Sequence, residues 1–235
     1  MIEDRIKKMR TGYIFTLSDF YDIVPNPIQV SQALRKLTRS GKIRKIGKGR
    51  FDRPKQTILG TMPPSVDWML QEFLMDGKRI IGYMSGQTAF QQLGLSTQIS
   101  SVYTIGSNTY RRAINRGGYT IRFVLQPNTI TRANIPHLQL LDAIRFIRQI
   151  PACTPEEACI TIRAIICNMK PSERKQLAAL ALAYTSYVRA ILGAMLDEAG
   201  DTDTDALYRS LNKVSSYKIG LNDDTLPNRK KWRVQ

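Results

Sequence analysis

The amino-acid sequence predicts an α+β fold: an N-terminal winged helix-turn-helix, a mixed α/β domain, and a C-terminal helical region. Three observations carry that prediction. The stretch "PIQVSQALRKLTRS" (27–40) has apolar residues at helical spacing and runs directly into the cationic, glycine-punctuated "GKIRKIGKGRF" (41–51). Farther on, "GGYTIRFVLQP" alternates apolar and polar residues, as a half-buried strand does. From about Pro136 the apolar positions return to helical spacing.

Three segments are expected: 1–56, 57–135 and 136–235, the last packed on the one before it. In the first, "IEDRIKKM" places Ile2, Ile6 and Met9 on one helical face, and 13–15 is a brief extended piece. A helix is expected from a Ser18 cap, burying Phe20 and Ile23. After the turn "VPNPIQ", Asn26 caps the next helix, with Pro27 at its first position, where a missing N–H costs nothing. Val30, Ala33, Leu34 and Leu37 make its apolar stripe, and Gly41 stops it. Two short strands come next, joined by a tight turn at 47–49. Ile43 and Ile46 are three apart, so one of them is expected on a bulge or at a strand end. Helix, strand, helix, turn, helix and hairpin is the order of a winged helix-turn-helix.

"PKQTILGTMPPSVDW" reads as a linker into the second segment, punctuated by Pro54, Pro63 and Pro64. Beyond it, "PSVDWMLQEFL" is expected as a helix and "RIIGYMSG" as extended chain. "SGQTAFQQLG" is a short helix capped by Ser85 and stopped by Gly94. "SSVYTIG" is a strand, and "GGYTIRFVLQP" is another, with Tyr119, Ile121, Phe123 and Leu125 on one face. In the third segment "HLQLLDAIRFIRQI" is helical, and "TPEEACITIRAIICNM" opens with a capping box of Thr154 and Glu157 around Pro155. "SERKQLAALALAYTSYVRAILGAMLDEAG" is expected as one long helix from a Ser172 cap to Gly200. A short helix around "DALYRSLNKV" and an irregular basic tail, "SSYKIGLNDDTLPNRKKWRVQ", complete the chain.

The formal net charge of +16 and sequence pI of about 10.0 do not set the fold, but they favour an anionic partner. The N-terminus "MIEDRIKKMR" has no apolar region of the kind a secretory signal needs. The most apolar stretch, "LAALALAYTSYV", is shorter than the ~20 residues of a membrane span. Cys153, Cys159 and Cys167 form no C-x-x-C pair and read as free thiols in a reducing compartment, so a cytoplasmic protein is expected. His137 is the single histidine, which leaves no second one for a His-based metal site or triad.

In a helix-turn-helix the second helix of the pair enters the major groove. Here its polar faces carry Gln29, Ser31, Gln32, Arg35, Lys36 and Arg39. Gln can pair bidentately with adenine and Arg with guanine, so this face has the chemistry of base reading. The hairpin adds Lys42, Arg44, Lys45, Lys48 and Arg50, which suit phosphate contacts that set grip and register. Arg53 and Lys55 extend the strip, and Asp52 is its only acid.

"DTDTD" (201–205) lacks the Gly and Glu of a calcium loop at the required positions, and it reads as a loop capping the next helix through Thr204 or Asp205. No metal ligands, catalytic residues or cofactor motif are identified. The tail run Arg229, Lys230, Lys231, Trp232 and Arg233 could stack on nucleic acid, but it reads better as Trp232 docking the tail onto the body.

Together the winged helix, the stretch "YMSGQTAFQQLGLSTQ" (83–98), the strand after it and "YTIRFVL" resemble the AbiEi-type antitoxins. These belong to bacterial type IV toxin–antitoxin and abortive-infection systems. The resemblance covers roughly the first 135 residues. It implies a non-enzymatic protein that binds duplex DNA at its own promoter and represses its operon. It also implies a counterpart toxin of nucleotidyltransferase type, opposed without a stable complex. Only the DNA-contact role carries over to residues here, namely the recognition-helix face and the wing. Winged-helix repressors often dimerise on inverted repeats, so a homodimer on DNA is among the expectations. No membrane partner is expected. The alternatives are a nucleic-acid-processing enzyme targeted by the winged helix, which would need a clustered carboxylate or His site, and an RNA- or protein-binding module.

Overall fold

A computed structural model describes residues 1–58, 60–62, 65–201 and 204–235. Pro63 and Pro64 of the expected linker, and 202 and 203 within "DTDTD", lie outside the described residues. The architecture is mixed α/β, with helices set around several small sheets.

The chain begins with α1 (Ile2–Lys8), which buries Ile2 and Ile6, and continues into β1 (Ile14–Thr16). The helix expected from Ser18 is a single 3-10 turn, Ser18–Phe20. Its cause is local. The Asp19 carboxylate accepts from the Thr16 N–H at 2.6 Å and the Thr16 hydroxyl at 3.0 Å, which closes a tight turn. Val24 precedes Pro25 and is biased out of the helical region, so no room remains for a longer helix. Phe20 is buried all the same, and Ile23 is half-buried.

α2 (Pro27–Arg39) forms where its end signals place it. Asn26 Oδ1 accepts from the N–H groups of Ile28 and Gln29 at 2.9 and 3.4 Å, and Gly41 leaves the helix at φ 71°. β2 (Arg44–Gly47) and β3 (Arg50–Asp52) are joined by Lys48–Gly49, with Gly49 at φ 69°, a conformation that suits glycine. The register sets Arg44 opposite Asp52, Lys45 opposite Phe51 and Gly47 opposite Arg50, so Ile46 is the bulged residue. The bulge reconciles the odd spacing of Ile43 and Ile46 with the burial of both. β1 pairs with β3 to complete a three-stranded antiparallel sheet, β1-β3-β2. Phe15, Phe20, Val30, Leu34, Leu37, Ile43 and Phe51 fill the core between this sheet and the helices.

β4 (Gln56–Thr57) and β5 (Gly60–Thr61) form a small ladder within the expected linker. α3 (Val66–Leu74) leads into a short hairpin of β6 (Met75–Asp76) and β7 (Arg79–Ile80). Next come β8 (Gly82–Ser85), α4 (Gln87–Gln92), β9 (Val102–Ser107), β10 (Ile114–Arg116) and β11 (Tyr119–Leu125). They build a four-stranded sheet, β10-β11-β9-β8, in which only β11 and β9 run parallel. α3 packs Leu70 and Phe73 against Ile105 and Ile121 of this sheet. Leu125, expected on the buried face, is exposed because it is the last residue of its strand.

The remainder is helical: α5 (Ile135–Arg145), α6 (Pro155–Cys167), α7 (Pro171–Ala181), α8 (Ser186–Glu198) and α9 (Asp205–Arg209). The capping box at α6 is complete. Glu157 Oε2 accepts from the Thr154 N–H at 2.8 Å, and Thr154 Oγ1 accepts from the Glu157 N–H at 3.2 Å. The single helix expected over 172–200 is two helices. It starts at Pro171 rather than from a Ser172 cap, and it breaks after Ala181. Thr185 is extended, at ψ 154°, and restarts the helix as the residue before α8. α5 to α8 share one core with Tyr83, Phe90 and Leu95 of the preceding unit.

The basic tail is irregular apart from a 3-10 turn, Pro227–Arg229, and a bridge between Tyr217 and Val234. It is docked by Trp232. The ring is fully buried over Gly193 of α8, where any added Cβ would collide with it, and its indole N–H donates to Asp197 Oδ2 at 2.8 Å. Among the described residues no helix is long and apolar enough to cross a membrane.

Among the described residues, several contacts join the N-terminal unit to the rest of the chain. Tyr13 meets the half-buried Trp68 edge-on at 4.8 Å. Arg44 Nη1 donates to the Met62 carbonyl at 2.9 Å. The Glu72 carboxylate of α3 accepts from both Arg50 and Arg116.

Candidate nucleic-acid interface

α2 turns Val30, Leu34 and Leu37 into the core. On the opposite side Ile28, Gln32, Arg35 and Arg39 succeed one another at steps of four, three and four residues, the spacing of a single helical stripe. Gln29 and Lys36 flank the stripe. All six side chains are exposed, whereas Ser31 is half-buried at the margin. The helix holds no acid. Arg35, Lys36 and Arg39 make no side-chain hydrogen bond or ion pair among the described residues. Ile28 was absent from the sequence-predicted set. Its spacing from Gln32 and Arg35 was the signal that could have found it.

The hairpin cations divide into two groups. Lys42 Nζ donates to Glu3 Oε1 at 2.6 Å, and this hydrogen bond holds the Glu3 carboxyl below its ordinary value. Arg44 makes a two-pronged contact with Asp52, Nε to Oδ1 at 3.0 Å and Nη2 to Oδ2 at 2.6 Å. Arg50 pairs with Glu72. These three hold the unit together or fasten it to its neighbour. Lys45 and Lys48 are exposed and make no ion pair among the described residues. Arg53 also has a structural task, since its Nη1 donates to the carbonyls of Lys7 and Met9 at 2.7 and 3.2 Å, tying down the end of α1. Lys55 is exposed.

The candidate interface therefore comprises two glutamines and, among the described residues, three unpaired cations on α2, with Lys45 and Lys48 on the hairpin directly after it. Such a surface can accept phosphate oxygens and can present amide and guanidinium donors to base edges. Arg116 lies beside this hairpin: its Nε would sit 3.5 Å from a Cβ added at Gly47.

The stretch 83–98 serves a different purpose. Tyr83 and Ser85 donate to Oδ2 of Asp142 at 2.7 and 2.6 Å, and Tyr184 donates to Oδ1 at 3.1 Å. Gln126 Nε2 donates to the oxygens of both tyrosines at 2.8 and 2.6 Å. Ser85 is thus not the cap of α4. That position belongs to Gly86 at φ 57°, where a Cβ would lie 2.8 Å from Thr104. Burial drives the Asp142 carboxyl above its ordinary value, outweighing the three hydroxyl donors, and burial likewise raises both tyrosines. This constellation is closed to solvent and ties β8 and β11 to the helices. Tyr184, drawn into it, lies at the break between α7 and α8.

Elsewhere, a groove of about 740 Å³ between α3 and α4 is lined by Trp68, Met75, Met84 and Tyr103. Among the described residues Asp67 is the one charged side chain in its lining. In "DTDTD", Asp201 accepts from Arg174 at 2.7 Å and Asp205 pairs with Arg209 at 2.9 Å. Thr204 precedes α9 but turns its hydroxyl to Asp197 at 2.8 Å instead of capping the helix. No cluster of three or more metal-ligating side chains occurs among the described residues. All three cysteines are free thiols, and burial pushes Cys159 up to about 12.

Residues 1–169 match the family described as "Family of unknown function (DUF6088)". Among solved structures the chain is similar to the RV2827C protein from Mycobacterium tuberculosis at 15% identity, over 92% of this chain and 82% of that one, with a TM-score of 0.49. No curated protein matches the chain.

Proposed function

We propose, from the premise that the chain belongs to DUF6088, a family of unknown function, that it is a duplex-DNA-binding transcriptional repressor. In this reading α1, β1, the 3-10 turn, α2 and the β2–β3 hairpin are a winged helix-turn-helix. α2 is the recognition helix and the hairpin is the wing. Gln29, Gln32 and Arg35 read base edges, with Ser31 at the margin, while Lys36, Arg39, Lys45 and Lys48 neutralise phosphates. Lys42, Arg44 and Arg50 keep the wing in shape. The observation that carries the reading is the set of unpaired cations and glutamines on one exposed helix face and its adjoining hairpin, in a chain of net charge +16.

The resemblance to AbiEi-type antitoxins extends the proposal. The repressed promoter is the protein's own, and the counterpart is a nucleotidyltransferase-like toxin encoded beside it, opposed without a stable complex. The protein's part is binding rather than catalysis, in the bacterial cytoplasm.

A gel-shift titration on the DNA upstream of its own gene, repeated across a salt series, tests the DNA reading. Affinity should fall steeply with salt, and joint replacement of Arg35, Lys36 and Lys48 by alanine should abolish the specific complex. Binding that ignored salt and survived the triple replacement would sink the interface. Co-expression with the neighbouring gene product tests the antitoxin role, which fails if growth is not rescued.

A further inference from the structure

We infer that Ile28 is a specificity-determining residue that reads the C5-methyl group of a thymine in the major groove; the inference rests on the DNA-binding reading above. Ile28 is 68% exposed, on a helix face whose other exposed members are Gln29, Gln32, Arg35, Lys36 and Arg39. It is the one apolar side chain in that stripe, and the core behind α2 makes no use of it.

Its position is the one from which a recognition helix reaches base edges, the first turn. The backbone there is held in place, because Asn26 Oδ1 accepts the Ile28 N–H at 2.9 Å. A β-branched side chain is restricted at χ1, so the Cγ2 methyl of Ile28 is presented in few directions. The residue one turn on, Gln32, has the chemistry to pair with adenine, and Arg35 with guanine. The single apolar group that any base pair shows in the major groove is the thymine methyl. An apolar side chain set among polar readers is matched by that group and by none of the hydrogen-bonding edges.

The test uses the upstream DNA fragment amplified either with dTTP or with dUTP. Uracil differs from thymine only by the missing methyl. Amplified DNA also carries no 5-methylcytosine, so any methyl preference belongs to thymine. Full-length protein should bind the thymine fragment about fourfold more tightly for each methyl covered. Ile28→Ala should bind both fragments alike, near the affinity of the unaltered protein for the uracil fragment, and Ile28→Val should keep the preference. Both variants should melt with the unaltered protein, since the side chain is outside the core.

Equal affinity of the unaltered protein for the two fragments would overturn the inference, as would a full thymine preference retained by Ile28→Ala. So would an Ile28→Ala variant that changes only the sedimentation behaviour of the free protein, which would make Ile28 a contact between copies. If binding to both fragments is equal but still depends on Arg35, Lys36 and Lys48, only the role of Ile28 falls. If neither fragment is bound, the DNA reading falls with it.

Discussion

Arg44 and Asp52 face each other across the β2–β3 hairpin, with Nη2 2.6 Å from an Oδ2 that belongs to a carboxylate sealed from solvent. Arg44 is therefore engaged with the protein's own interior, although its place in a cationic run suggests a phosphate contact. Removing one partner of such a buried pair strands the other charge.

Arg44→Ala should accordingly destabilise the protein by about 3 kcal/mol, read as a lower midpoint in urea unfolding. Lys48→Ala should leave the midpoint within about 0.5 kcal/mol of the unaltered protein. It should instead weaken DNA binding and reduce the slope of log affinity against log salt by about one. If Lys48→Ala unfolds the protein, or Arg44→Ala weakens DNA binding with no loss of stability, the division of the hairpin cations is wrong.

Glu72 takes the charge of two arginines, Arg50 from the hairpin and Arg116 from β10. Glu72→Gln should release Arg50 toward an anionic ligand, while Arg116, 9% exposed and packed over the Phe73 ring, stays in place. The expected outcome is tighter binding to non-specific duplex DNA, with a salt slope steeper by about one. A binding isotherm on random-sequence DNA at two or three salt concentrations measures it. Weaker or unchanged binding would count against Arg50 facing the same side as the candidate interface.

Asp142 gives a pH prediction. Its carboxyl is raised by burial, so the folded state prefers the protonated form. The associated stabilisation is complete below the ordinary carboxylate range and is lost as pH rises through the raised folded value. The unaltered protein should thus lose stability over that interval, and Asp142→Asn, which stays neutral and still accepts hydrogen bonds, should lack that loss. Asp142→Ala leaves the hydroxyls of Tyr83 and Ser85 without their acceptor and Tyr184 with only the Leu138 carbonyl at 3.4 Å, and it should lose about 3 kcal/mol or more. Thermal melts across pH for the three proteins decide the matter, and superimposable pH profiles would refute it.

Trp232 over Gly193 predicts an asymmetry between two substitutions. Trp232→Ala should lose about 3–5 kcal/mol, the range for deleting a large buried ring. Gly193→Ala adds a single methyl, yet it drives that methyl into the ring and should lose about 1–3 kcal/mol or more. A Gly193→Ala protein as stable as the unaltered one would show that the tail yields easily.

Some helix boundaries set by strong local caps were legible in the sequence. Asn26, Pro27 and Gly41 bound α2, and Thr154 with Glu157 opens α6, because caps act within a few residues. That Ile43 or Ile46 sits on a bulge or at a strand end was readable from their spacing; that it is a bulge at Ile46 comes from the register. The pairing of Arg44 with Asp52 could have been read as well, since the bulged register sets them opposite each other. The shortened helix at Ser18 has a local cause, the contact of Asp19 with Thr16, which the cap residue alone does not reveal. Other differences arise from groups distant in sequence. Nothing near Arg50 reveals Glu72, and nothing near Ser85 reveals Asp142, 57 positions away. The apolar run through Tyr184 hides the helix break, at which Tyr184 bonds a buried carboxylate on another helix. For the candidate interface, the exposed face of α2 was readable from its periodicity. Which hairpin cations are free was not, because pairing depends on tertiary neighbours.

The chain's two tryptophans sit in unlike surroundings. Trp68 is half-buried where the N-terminal unit meets α3, in edge contact with Tyr13. Trp232 is enclosed, with its indole N–H bonded to Asp197 and Tyr208 at its edge. Intrinsic fluorescence is therefore resolvable by place without any label. Iodide should quench Trp68 and leave Trp232 bright, so the quenchable fraction tracks the junction while the shielded, blue-shifted fraction tracks the seating of the tail.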